Sequence, residues 1–302
     1  MDLDVRTTTD LFLRNLGTEA GREKVASIGQ SFIRERLREV SFARQIIPPM
    51  YVTQADLQVS VNHDGVVKIV ELEPDSKAMM VNFRGKPTTN YIEGKRVELA
   101  FSTISSEEFQ KTEEELLAYR MPLTQVIEQN SVLDIQKVED EAFLSQVDAA
   151  IAVEGSGVSG QYNSAGSVPE AKLRELFNVI DSKQLQSELL LMDTTMFNRL
   201  VVDNNTNNTF GDAGLKGEIA VAGYKHGTLF GRRIIVSNKT DMLENKIYAF
   251  TAPQFMGEFC ILNDTKFDID KKRNLITFSA YESVGMIIAN TKSVARLTLA
   301  TE

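Results

Sequence analysis

Between residues 19 and 40, Val25, Ile28, Phe32, Leu37 and Val40 recur at helical spacing and form one apolar stripe. The opposite face of this expected helix carries Arg22, Lys24, Arg34, Arg36 and Arg38 among glutamates. Residues 1–17 read as a mobile arm, and Pro48 and Pro49 close the section. From Leu57 the period falls to two. "LQVSV", "NHDG" and "VVKIVEL" predict a hairpin that turns at Asp64 and Gly65. The polar stretch 73–96 follows, with Pro74, Gly85, Pro87 and Gly94 and little that could form a core of its own. "VELAFSTI", 97–104, then reads as a single strand. Two strands thus flank an excursion of more than twenty residues. Compact domains keep excursions of that size for functional or outward-reaching segments.

Helical spacing returns further on. Residues 105–119 read as an acidic helix with Ser106 and Phe109 near its start. After Pro122 a second helix is expected to run to about Val153. Val126, Asn130, Leu133, Val138, Ala142, Val147 and Ile151 would line its apolar face, and Asp134, Lys137, Glu139, Asp140 and Glu141 its solvated one. Its length would reach about 45 Å at 1.5 Å per residue, enough for a spine across a subunit. "SVPEAKLRELFNVI" predicts another helix, with Ser167 and Glu170 as a capping box, Pro169 in the first turn, and Leu173, Leu176, Phe177 and Ile180 buried. "SELLLMD" reads as a buried strand, and Asp193 as the N-cap of "TTMFNRLVV". A polar loop, 203–218, leads to two short strands punctuated by Gly227 and Gly231. The remainder is strand-rich: "KIYAF", "GEFCIL", "TKFDID", "NLITFSAYESVGMIIA" and "VARLTLAT", with turns at 271–274 and 290–293.

Charge and chemistry narrow the functions. The 302-residue chain carries a net charge of -9, which argues against a dedicated nucleic-acid binder and makes the basic face of 19–40 a solvated one. The single cysteine, Cys260, excludes an intramolecular disulfide and a cysteine-based zinc site, and it fits a reducing, intracellular origin. Only His63 and His226 could serve a histidine centre. His63-Asp64 resembles a metal-binding pair, but without a second histidine-rich segment it reads as a turn. Asp268 and Asp270 share one face of an edge strand, read as solvated rather than metal-binding. The ten methionines read as core filler. Gly155, Gly157 and Gly160 spell G-x-G-x-x-G, with Asp181 about twenty residues on. A dinucleotide site needs a strand before these glycines and a helix opening among them. Here a helix precedes them and "QYNSAG" follows, so Gly155 reads as a C-cap and the stretch as a linker. No catalytic, cofactor-binding or metal-binding residue is assigned.

The order of parts, carried by "SFARQIIPP", "NYIEGKRVELAFSTISSEEF", "VEDEAFLSQVDAAI", "LLLMDTTMFNRLVV", "GTLFGRRIIVSN" and "KIYAFTAPQFMGEFCILND", resembles the major capsid proteins of tailed bacteriophages. The resemblance implies an α+β Hong Kong 97-type fold with an N-terminal arm, an extended β-hairpin loop, a peripheral domain with a spine helix, and an axial α/β domain. The expected divisions are 1–50 for arm and helix, 51–104 for the extended loop, 105–155 for the peripheral domain, 156–265 for the axial domain, and 266–302 for strands returning to the peripheral domain. It further implies a non-enzymatic shell subunit of the virion, assembled in the host bacterial cytoplasm without cofactor or membrane. Subunits would form hexamers and pentamers of an icosahedral head around double-stranded DNA, enclosed without sequence recognition. Scaffolding, portal and decoration proteins are the other partners implied. Met79, Met80, Phe83, Arg84, Lys86, Tyr91, Lys95 and Arg96 of the loop, and Phe12, Leu13 and Arg14 of the arm, would touch neighbouring copies. Some members weld subunits through a lysine–asparagine bond. Lys77, Lys86, Lys95 and Asn290 match no motif for it, and no crosslink is assigned. An encapsulin-type nanocompartment shares the fold and is the alternative. A nucleotide-dependent enzyme is the reading from another class.

Overall fold

The computed structural model describes residues 41–59, 65–73, 79–87, 89, 94–112, 114–115, 123–162, 168–202 and 228–300. The expected helix at 19–40, Phe12, Leu13, Arg14, His63, Asp64, Lys77, Tyr91, Ser167, the loop 203–218, His226 and Gly227 lie outside them.

Helix α1 (Phe42–Ile46) leads to strand β1 (Met50–Tyr51), β2 (Leu57–Val59) and β3 (Val66–Glu71). Strands β4 (Arg96–Ala100), β5 (Ser102–Ser105) and β6 (Phe109–Thr112) follow the excursion. The spine helix α2 spans Leu123–Glu154, 32 residues and so about 48 Å long. Then come β7 (Gly157–Gln161), α3 (Glu170–Asp181), β8 (Ser187–Asp193) and α4 (Thr194–Val202). Strands β9 (Thr228–Leu229) and β10 (Arg232–Ser237), helix α5 (Thr240–Leu243), and β11 (Lys246–Thr251), β12 (Glu258–Lys272), β13 (Leu275–Ile287) and β14 (Val294–Ala300) complete the described chain.

Three sheets result. One runs β7-β14-β11-β8-β10-β9, a second β1-β12-β13-β5 with β6 also on β13, and a third β2-β3-β4. The six-stranded sheet is buried on both faces, which explains the unbroken apolar run of β8. Leu189 and Leu191 of β8 and Tyr248 and Phe250 of β11 join a core with Ile135, Phe143, Val147 and Ile151 of α2. Leu190, Met192, Ile247 and Ala249 point the other way, against Leu173, Leu176, Phe177 and Ile180 of α3. Asp193 accepts the backbone N–H of Met196 at 2.9 Å and caps α4 as expected.

Several expectations need correction. Residues 109–112 form a strand, not a helix, because they pair with Leu275–Phe278 of β13. "VELAFSTI" is two strands in two sheets, divided at Phe101. The linker after Gly155 is β7, held parallel to β14. "GEFCIL" and "TKFDID" are one continuous strand, β12, with register shifts. The N-cap of α3 is Pro169, two residues later than the expected Ser167, and it makes no side-chain capping bond. β14 pairs with β7 and β11 in the six-stranded sheet, not with β13. The face of α2 is also turned. Glu139 and Asp140 are fully buried, whereas Val138 is 44% exposed and Ala142 is exposed. Val147 and Ile151 are buried as expected, and the side chains of Val126, Asn130 and Leu133 lie outside the described set. The methionines divide: Met192, Met196 and Met256 are buried, but Met50, Met79 and Met80 are exposed.

The glycine motif finds the wrong context for a nucleotide. Gly155 takes φ +68° and donates its N–H to Ile151 of α2, capping a helix, while Gly157 and Gly160 lie in a strand. Asp181 ends α3 and pairs with Arg232 at 3.0 Å. Asp268 and Asp270 are both exposed on β12, as alternation requires.

Candidate functional site

The excursion begins and ends on paired strands. β3 and β4 run antiparallel from Val67↔Ala100 to Glu71↔Arg96, and Leu72 donates its N–H to the Lys95 carbonyl at 2.8 Å. The chain therefore leaves and re-enters the same sheet edge as a closed loop. At its described tip, the Asn82 carbonyl accepts the Gly85 N–H at 2.7 Å. Asparagine first and glycine fourth suit such a turn, so the sequence sets Phe83 and Arg84 at its crest.

The tip is apolar and uncovered. Met80 and Phe83 have relative exposures of 104% and 112%, and Met79 and Val81 are also exposed. Full burial of one such side chain stabilises by about 1.5–3 kcal/mol. Arg84, Lys86, Lys95 and Arg96 are exposed as well. Arg96 pairs with Glu71 of its own sheet at 3.0 Å. Both partners are well exposed, so this pair contributes little.

The loop's base is packed hard against the five-stranded sheet. Leu99 of β4 is buried with Val70 and Cys260, and Val52, Phe101 and Ile287 close around them. Lys68 bonds Glu258 at 2.5 Å. Burial alone would lower the Lys68 ammonium, but the bond to Glu258 carries it above the ordinary lysine value. Burial pushes the Cys260 thiol up to about 11, with the Lys68 charge opposing and Glu258 adding to the rise. Cys260 is thus a neutral packing residue, not a nucleophile. Gly285 of β13 permits the close approach: a Cβ there would lie 2.3 Å from Leu99 Cδ2 and 2.9 Å from the Ala100 carbonyl. Gly285→Ala is expected to destabilise the subunit by about 1–3 kcal/mol through overpacking. Denaturant unfolding measures the loss, and hydrogen exchange should place it at 96–101.

A second polar site lies inside the subunit. Arg44 of α1, 5% exposed, donates Nε to Glu139 at 3.0 Å and Nη2 to Glu282 of β13 at 2.6 Å. Thr265 of β12 donates to Glu282, and Lys239, just before α5, bonds Asp140. Burial pushes Glu139 up to about 7, although Arg44 and Ser41 pull it down. Burial likewise raises Asp140 against the opposing Lys239 charge. The sequence reading missed this site. Its one local signal is Arg44 inside the apolar run Phe42, Ala43, Ile46 and Ile47.

Among the described residues no group of three or more His, Cys, Asp or Glu side chains is placed to hold a metal ion, and no described helix is long and apolar enough to cross a membrane.

No protein-family model and no curated protein matches the sequence. Solved structures do. One from Microbacterium phage Oxtober96 superposes with a TM-score of 0.64 at 11% identity, covering 87% of this chain and 92% of that one. The capsid structure of cyanophage P-SCSP1u gives 0.57 at 13% identity, covering 85% of this chain and 86% of that one. The virus-like particle from Pyrococcus furiosus gives 0.55 at 15% identity, over 89% of this chain and 97% of that one. The architecture that the sequence resembles is therefore the one the chain adopts: an α+β fold of the Hong Kong 97 capsid type.

Proposed function

We propose that the chain is the structural subunit of a phage head, a shell protein that assembles with copies of itself and catalyses nothing. The observation that carries this reading is the loop tip. Met80 and Phe83 stand fully exposed on a hairpin whose base is fixed. A hairpin without a core is marginal alone, so its apolar tip finds burial on another copy. The shared fold with the cyanophage capsid supports the same role.

In this reading subunits form hexamers and pentamers of an icosahedral shell around double-stranded DNA. Residues 1–50 act as arm and helix, 51–104 as the extended loop, 105–155 with the spine helix as the peripheral domain, and 156–265 as the axial domain. Strands of 266–302 return to the peripheral domain. Met79, Met80, Phe83, Arg84, Lys86, Tyr91, Lys95 and Arg96, with Phe12, Leu13 and Arg14 of the arm, contact neighbours. Scaffolding, portal and decoration proteins complete the virion. The net charge of -9 suits a wall that contains DNA without gripping it. Many repeated contacts of modest strength hold such a shell by multivalency.

A small nanocompartment is the second reading, favoured by the likeness to the Pyrococcus particle. Negative-stain microscopy of the purified full chain, with and without a co-expressed scaffold, separates the two. Closed particles of genome-packaging size support the phage head, and small empty shells support the nanocompartment. A compact monomer that never assembles would overturn both.

A further inference from the structure

Ser41 stands between two carboxylates. Its Oγ lies 2.7 Å from Glu139 Oε1 and 2.9 Å from Asp140 Oδ1, and all three side chains are fully buried. A serine hydroxyl owns one hydrogen and can donate it to only one of two ionised carboxylates. The other close contact needs a hydrogen of its own, supplied by a protonated carboxyl that donates to Ser41 Oγ. That oxygen keeps a lone pair for the Arg44 N–H at 3.4 Å.

Counting charge leads to the same place. The cluster holds Arg44 from α1, Glu139 and Asp140 from α2, Glu282 from β13 and Lys239 from the turn before α5. Among the described residues two cations face three carboxylates, and one added proton brings their sum to zero. Thr265 and Ser41 supply hydroxyls only. Buried charges of unequal number are costly, so the interior favours the neutral sum.

We propose that Glu139 and Asp140 share one proton through Ser41, and that this proton is a pH-sensitive latch fastening α1 to the spine helix. With the proton in place, α1 is tied by Ser41, by the Ala43 N–H on Asp140 at 3.1 Å, and by Arg44. Without it, an uncompensated negative charge sits under α1 and weakens the tie. The sign is fixed by linkage. A carboxyl raised in the folded state stabilises below its ordinary value near 4.5, and the contribution is lost as pH rises to about 7.

The test is hydrogen exchange of residues 41–47 in the full chain from about pH 5 to about pH 8, corrected for the intrinsic rate of each pH. In the wild type, protection should fall by up to about tenfold per pH unit and level off above neutrality, the signature of one proton. Glu139→Gln places a permanent donor beside Ser41 and should flatten the profile. Asp140→Asn is the second variant, and a flat profile in either one supports the shared proton. A flat wild-type profile, or wild-type slopes in both variants, overturns it. If Glu139→Gln does not fold, the Asp140→Asn slope decides alone.

Discussion

Replacing Met80 and Phe83 together by aspartate is expected to leave the subunit folded and to abolish closed particles. Neither side chain touches a core of its own chain, given exposures of 104% and 112%. The folded subunit should therefore unfold within about 0.5 kcal/mol of the parent, as surface changes usually do. Assembly is different. Two large apolar side chains moved from water into a neighbour contribute about 1.5–3 kcal/mol each. Their loss weakens one contact by a factor of about 10² to 10⁴. Each copy would both give and receive such a contact, so the weakening repeats at every edge. Sedimentation at matched concentration checks the outcome: subunits or small oligomers from the variant, closed shells from the parent. Normal shells from the double variant would show that the tip carries no assembly energy.

Arg44→Ala is expected to give the largest loss of subunit stability, about 3–5 kcal/mol, the usual result of breaking a buried pair from one side. The guanidinium bridges Glu139 and Glu282 and lies 5.6 Å from the centre of the Phe259 ring. Removing it leaves the buried carboxyls of Glu139 and Glu282 with Ser41 and Thr265 as their hydrogen-bond donors among the described residues. The loss should shrink towards about pH 5, where Glu139 takes up a proton and sheds the charge that makes its burial costly. Chemical denaturation at two pH values tests both magnitude and sign. A loss that does not change with pH would mean that missing volume, not stranded charge, is the cause.

Local signals in the sequence located what local physics decides. α2 was expected from Pro122 to about Val153 and spans Leu123–Glu154, because Gly155 at positive φ supplies the stop. The buried quartet of α3 and the Asp193 cap were legible for the same reason, since their partners sit within a few residues. The strands at 109–112 and 157–161 were not. "FQKT" lies among glutamates that favour helix, and its strand state comes from pairing with Phe278 and its neighbours, more than 160 residues on. "GVSGQ" is held by β14, 139 residues on.

The candidate sites divide in the same way. The loop was visible as a stretch poor in apolar residues between two strands, and the structure adds that Met80 and Phe83 are fully exposed. The buried cluster was hidden because Glu139 and Asp140 look solvated beside Lys137 and Glu141. The distant Arg44 and Lys239, together with Ser41 and the Ala43 N–H, make their burial tolerable.

The central idea is that the hairpin between β3 and β4 finds its burial on a neighbouring copy. Electron cryomicroscopy of the assembled particle tests it most directly, by tracing Phe83. The account predicts its ring covered by side chains of an adjoining subunit. A closed particle in which that ring faces solvent, or folds back onto its own chain, would contradict it.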